Sequence, residues 1–383
     1  MLIDHHCHLL LGAVPSLQER SSLRKQLPLC QELATWGQAT ATYPQLWLES
    51  SPPDLPLIKQ ELLQNAAVAK LLSSYIQSPV ASFYLSTVSW YDALANLICL
   101  RWHPLWQEEN QGTPQEDALA LPAVAPHLKE LAPALSGVAP ALSGVAPALS
   151  GGAPALSGGA PALSQTPTNP RFTLALGIHP YFAYPSCLED ELPGLLALAS
   201  LIRTIWPQLW GGWGEIGLDR RLSSFTLTEQ QSLLKSMMMA LHEAAPQAPF
   251  TFHCVGAYPE LVILLTKSSY FTDLPHSTVA TATISSATTS ARLPNLVGRE
   301  GQRSCLHGFN GKAHLAYPIA ALGLSLGLGK ALLSQANESK WRQLFTNLVP
   351  DSFTLESDCD GESYPGELIG CLQERYRYLA YPR

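Results

Sequence analysis

Charge of either sign is scarce in this sequence: only 14% of residues are Asp, Glu, Lys or Arg, and the formal net charge is −7. Such a balance argues against broad electrostatic capture of nucleic acid, although a phosphate held locally by cations remains compatible with it. No run reaches the roughly 18 apolar residues of a spanning helix, so no membrane association is expected. The opening Met-Leu-Ile-Asp-His-His has neither a basic region nor a long apolar run, and no secretory signal is visible. None of the eight cysteines stands in a Cys-x-x-Cys spacing. A reduced, cytoplasmic protein with small buried thiols is the expectation.

Hydrophobic residues make up 46% of the 383 positions, ample for one large barrel or two ordinary domains. The stretch around which the rest is organised is Gly-Glu-Ile-Gly-Leu-Asp-Arg at 214–220. There a single carboxylate, Glu215, sits among apolar residues and glycines, and a lone buried glutamate is costly unless it is paired or bound to metal. Candidates to share a metal with it are His6, His8, His253, His307 and Asp358, spread along the whole chain.

Strand-like stretches fall at 1–8, 81–89, 171–178, 210–218, 249–254, 304–309, 324–328 and 353–358, mostly separated by helical spacing such as that of 56–77, 188–205 and 228–244. Eight strands alternating with helices predict a single α/β domain over 1–383, a (β/α)₈ TIM-type barrel. Long low-complexity insertions interrupt it at about 11–53, 103–170 and 268–303. The second carries an Ala-Pro-Ala-Leu-Ser-Gly repeat over 132–164. Proline and glycine in nearly every unit defeat a coiled coil, and a flexible, functionally idle insertion is the expectation. The methionine run at 237–239 reads as core filling.

His6 and His8 are two apart on a strand, so their side chains share a face. The other candidates also lie at the carboxyl ends of expected strands, which converge on one face of a barrel. Four histidines and two carboxylates, with no required thiolate, suit zinc, manganese or a similar divalent ion. They suffice for two ions with Glu215 between them, and such a pair can hold a substrate oxygen and activate water for hydrolysis.

In order along the chain come Asp-His-His-Cys-His-Leu at 4–9, Gly-Ile-His-Pro at 177–180, Gly-Glu-Ile-Gly-Leu-Asp at 214–219, His253, His-Gly-Phe-Asn-Gly at 307–311 and Glu-Ser-Asp at 356–358. This series resembles the TatD-like metal-dependent hydrolases, within the wider amidohydrolase-type barrels. The resemblance implies that His6, His8, Glu215 and Asp358 hold one divalent ion, and Glu215, His253 and His307 a second, whether Zn, Mn or Mg. It implies general-base work for Asp358 and contact of His179 with a substrate phosphate. Asp219 is expected to brace the strand end. The implied activity is hydrolysis of phosphodiester bonds, as a deoxyribonuclease with DNA as substrate and no obligate protein partner. The chain departs from the family pattern at Val255, where arginine usually follows the strand-five histidine, and at Asp360, where proline is usual. It also stops soon after Tyr378. Val255 and Asp360 favour an alternative, a small-molecule hydrolase on the same centre. A third reading is a metal-retaining, non-catalytic scaffold.

Overall fold

The first strand, β1 (Leu2–Cys7), is laid parallel to β2 (Val80–Ser86), and each later strand adds beside the one before it. They are β3 (Arg171–Leu176), β4 (Trp210–Asp219), β5 (Phe250–Val255), β6 (Cys305–Leu306), β7 (Ser325–Leu328) and β8 (Phe353–Leu355). The eight form one parallel sheet in sequence order. Beyond the strand ends, the Asp358 N–H donates to His6 O (3.0 Å) and the His8 N–H to Cys359 O (2.8 Å), drawing the last strand to the first. This is the TIM-type barrel the alternation predicts. The computed structural model describes residues 2–10, 58–105, 171–223, 225–268, 303–360 and 364–381. The expected insertions, including the repeat, fall almost wholly outside the described residues.

Helices between the strands are α1 (Ala66–Ile76), α2 (Trp90–Trp102), α3 (Leu192–Ile205), α4 (Leu227–Ala244), α5 (Tyr258–Lys267), α6 (Ala313–Ala321), α7 (Glu338–Asn347) and α8 (Leu368–Ala380). Local chemistry sets their starts. Asn65 accepts from the Ala67 N–H and opens α1, so the helical spacing of 56–77 is split into a π turn at Lys59–Leu63 and a separate helix. Thr226 and Glu229 form a reciprocal capping box at α4. Met237 and Met238 on that helix are buried and fill the core, while Met239 faces out.

Strands of a parallel barrel are covered on both faces, and β4 is buried over nearly its whole length. On the outer side of β2 and β3, Tyr75, Phe83, Phe172 and Tyr364 cluster with centroids 4.5–5.9 Å apart, mostly edge-on or tilted, fastening α1 and the approach to α8 to the barrel. Burial of each such ring contributes about 1.5–3 kcal/mol. A polar cavity of about 230 Å³, bordered by His5 and Tyr84, is lined by residues from the starts of β5 to β8. It lies away from the carboxyl ends of those strands, where the candidate ligands gather. Among the described residues, no helix is long and apolar enough to cross a membrane, and every cysteine is a free thiol.

Candidate metal centre

Glu215 reaches the barrel interior because two glycines let the neighbouring backbones close on it. A Cβ at Gly177 of the β3 end would lie 2.6–2.7 Å from Gly214 and Glu215 backbone atoms. A Cβ at Gly217 would lie 1.9 Å from His253 O, an overlap no side chain survives. Gly177 and Gly217 therefore serve close strand approach around Glu215.

The two oxygens of Glu215 divide the imidazoles. Oε2 lies 3.3 Å from His6 Nε2 and 3.4 Å from His8 Nε2. Oε1 lies 2.8 Å from His253 Nδ1 and 3.4 Å from His179 Nε2, and is in close contact with His307 Nε2. Asp358 Oδ1 completes the first group, 3.6 Å from His6 Nε2 and 3.9 Å from His8 Nε2. Its backbone is left-handed (φ 48°), a conformation aspartate tolerates, and this turn ends β8 and aims the carboxylate across the barrel mouth. The structure thus brings all six expected donors together, with His179 beside them.

Neighbouring groups fix which imidazole nitrogen faces inward. His8 Nδ1–H donates to Ser86 O (2.9 Å), which leaves the Nε2 lone pair toward Glu215. Ser86 Oγ stands 2.9 Å from His6 Nδ1, so one β2 residue orients both β1 histidines. His253 Nε2–H donates to Asp219 Oδ2 (3.1 Å), leaving Nδ1 for the centre. Asp219 is buried and also accepts from the Arg221 backbone N–H (2.8 Å), Nε (3.1 Å) and Nη2 (2.7 Å), the bracing expected of it. His179 differs: its Nδ1 accepts the Tyr181 N–H (3.0 Å). A neutral His179 then carries its proton on Nε2, and it points a donor, not a lone pair, into the centre.

Asp4 ties the two closing strands. Its Oδ1 accepts from the Ser357 N–H (2.9 Å) and the His6 N–H (3.2 Å), and its Oδ2 from Tyr364 Oη (2.8 Å). Burial pushes the Asp4 carboxyl up to about 6 even against these bonds. Glu356, on the loop after β8, accepts from the Gly308 N–H, and its Oε1 is 4.0 Å from His307 Nδ1. Burial pushes Glu356 up to about 8.

The donor set fits divalent cations. His6 Nε2 and Glu215 Oε2 are buried, have no hydrogen-bond partner among the described residues, and face each other at 3.3 Å. Ligands about 2.1 Å from one ion and 90–109° apart lie roughly 3.0–3.4 Å from each other, the spacing found around Oε2. Two groups, His6–His8–Glu215 and His6–His307–Asp358, each place ligand atoms within 4.8 Å of one another, and in a third, His179–Glu215–His253, His179 supplies a donor in place of a lone pair. No thiol enters these groups among the described residues; burial pushes Cys254 up to about 12 and also raises Cys7. Burial raises Glu215, but the imidazoles of His307, His179 and His6 outweigh it and hold the carboxylate well below its usual range.

Sequence reasoning missed Ser86, Arg221 and Tyr181. A polar residue at the inward end of the second strand was the available signal for Ser86. The pair following Asp219 and the residue two beyond His179 were the signals for the others.

A parallel eight-stranded barrel with nitrogen and oxygen donors converging at its carboxyl end is an arrangement that suits metal-dependent hydrolysis. The sequence profile of the family described as TatD related DNase matches residues 160–360, just over half of the chain, and the chain belongs to that family. The match begins after β1 and β2, so His6 and His8 join the set through the fold. Among solved structures, the TatD homologue YJJV of Escherichia coli k12 shares 17% identity over 85% of this chain and 86% of its own, with a TM-score of 0.43. A TatD family hydrolase from Entamoeba histolytica shares 13% over 99% and 91% (TM-score 0.47). An uncharacterized amidohydrolase from Saccharomyces cerevisiae shares 13% over 83% and 73% (TM-score 0.36). No curated protein matches the chain.

Proposed function

We propose that this TatD-family hydrolase cleaves phosphodiester bonds, with DNA as its substrate, at a centre where Glu215 and the imidazoles around it would hold two divalent ions. The observation that carries the reading is the division of donors between the two oxygens of that carboxylate. His6, His8, Glu215 and Asp358 would hold one ion, and Glu215, His253 and His307 the other. The nitrogen and oxygen set suits zinc or manganese, and magnesium with more solvent in its shell. When bound, the ions supply Lewis-acid polarisation of the phosphoryl group and lower the pKa of water.

The chain's own residues do the rest. Asp358 has a side chain 53% exposed at the barrel mouth, and it would accept the proton of the attacking water on the carboxylate oxygen that its ligand role leaves free. Burial raises its pKa, but His307, His6 and His8 outweigh this and keep the carboxylate ionised. His179 Nε2–H donates to a phosphoryl oxygen, a role supported by its tautomer. Asp219 and Ser86 hold the ligand imidazoles in one orientation.

A second reading, hydrolysis of a small ester, lactone or amide on the same centre, is favoured by Val255. The two are separated by stripping the protein of metal, restoring Mg²⁺, Mn²⁺ or Zn²⁺ in turn, and assaying single-stranded DNA beside a small ester, lactone and amide panel. Metal-dependent release of nucleotides supports the phosphodiesterase reading. Turnover of the small panel alone overturns it, and metal uptake without any turnover indicates a scaffold.

A further inference from the structure

Where the family pattern has arginine, this chain has Val255, and the structure shows what stands beside the gap. In the β4–β5 ladder Asp219 pairs with Val255, and the Arg220 N–H donates to Val255 O (3.0 Å). The next residue, Arg221, therefore leaves the neighbouring strand end at the same rim of the barrel. Its side chain is 59% exposed, yet its guanidinium is held: Nε and Nη2 bond to Asp219, while Nη1 takes no part in that pair. The same guanidinium lies 5.6 Å from the centroid of the Tyr181 ring. Tyr181 is 38% exposed, and its ring stands 5.0 Å from His179 and 6.1 Å from His253. Arg220, by contrast, is committed to Gly256 O and Glu260. A pre-oriented guanidinium and an exposed ring thus flank the donor that His179 points into the centre. An aromatic face takes a nucleobase, and an arginine edge takes phosphate oxygens.

We propose that Arg221 and Tyr181 form the substrate-holding arm of the centre, with Arg221 binding a phosphate of the substrate and Tyr181 stacking on the adjoining nucleobase. This rests on the phosphodiesterase reading and narrows it to nucleotide substrates with a base beside the scissile phosphate. The guanidinium is displaced by one strand, so the phosphate it holds lies toward β4 and the His179 side of the mouth.

The test is calorimetric binding of inorganic phosphate and of thymidine 5′-monophosphate to the metal-loaded full chain and to R221Q, R221K and Y181A. Wild type is expected to bind the nucleotide at least about fivefold more tightly than phosphate, through stacking. Y181A erases that preference, and R221Q weakens both ligands about tenfold. R221K recovers only part of the loss, because an ammonium lacks the planar fork. Metal content, measured alongside, stays at the wild-type value in all three. Binding by R221Q within twofold of wild type, a preference surviving in Y181A, no preference in wild type, or loss of metal from R221Q each overturns the proposal. The phosphodiesterase reading is judged separately by oligonucleotide turnover in wild type. Where wild type cleaves DNA, the arm predicts a raised KM with kcat retained in R221Q, and unchanged kinetics there would sink the arm alone.

Discussion

Replacing Asp219 by asparagine changes one atom and almost no volume, yet through His253 it reaches the proposed second ion site. Both oxygens of Asp219 face donors: Oδ1 accepts from the Arg221 N–H and Nε, and Oδ2 from Arg221 Nη2 and His253 Nε2. An amide NH₂ at either position points hydrogen at hydrogen. The simplest relief is for the introduced amide to donate to His253 Nε2. That moves the imidazole proton to Nδ1, the nitrogen 2.8 Å from Glu215 Oε1, where a ligand needs a lone pair. Loss of such an orienting partner costs roughly 10–100-fold in metal affinity, about 1.4–2.8 kcal/mol. The ion pair itself contributes little, because Arg221 is largely exposed and screened. D219N should therefore weaken the site containing His253 by that factor and leave the His6–His8 site unchanged, as read by competition with a chromogenic chelator. Two sites of wild-type affinity in D219N would refute the tautomer argument.

Two further outcomes follow from the same geometry. Tyr364→Phe keeps the ring in its aromatic cluster but strips one donor from the buried Asp4 carboxylate, so a destabilisation of about 1.5–3 kcal/mol is expected as a lowered thermal midpoint; an unchanged midpoint would count against Asp4 as the tie between β1 and β8. In the metal-free protein, burial lowers His8 and His253, but Glu215 outweighs it at His8, and Asp219 with Glu215 at His253, raising both to about 9 from 6.5; their stabilisation is full below pH 6.5 and lost as pH rises through about 9, and metal loading at pH 7 should release protons, seen as buffer-dependent binding enthalpy that fades toward pH 10.

The strand ends were legible because their ligands are chemically costly to bury, and six such residues in order leave few alternatives. Their local geometry was less legible. His307 was expected inside a strand over 304–309, but β6 stops at Leu306. The chain turns at Gly308 (φ 60°), which sends the Gly308 N–H to Glu356 instead of into the ladder. β8 likewise ends at Leu355, short of the expected 358, because Ser357 is drawn to Asp4 and Asp358 is left-handed. The pairing of Arg221 with Asp219 and Tyr181 joins two strand ends, and no spacing along the chain encodes such a contact. The low-complexity stretches declared themselves by composition, which carries no information on packing.

Equilibrium zinc binding to metal-stripped wild type and Glu215→Gln tests the central claim most directly. Glutamine keeps the size of the side chain and one acceptor oxygen but loses the charge and the second one. The bridging carboxylate predicts two tight ions per wild-type chain and no tight pair in the variant, with the barrel still folded. Two equally tight ions in Glu215→Gln, or none in wild type, would contradict it.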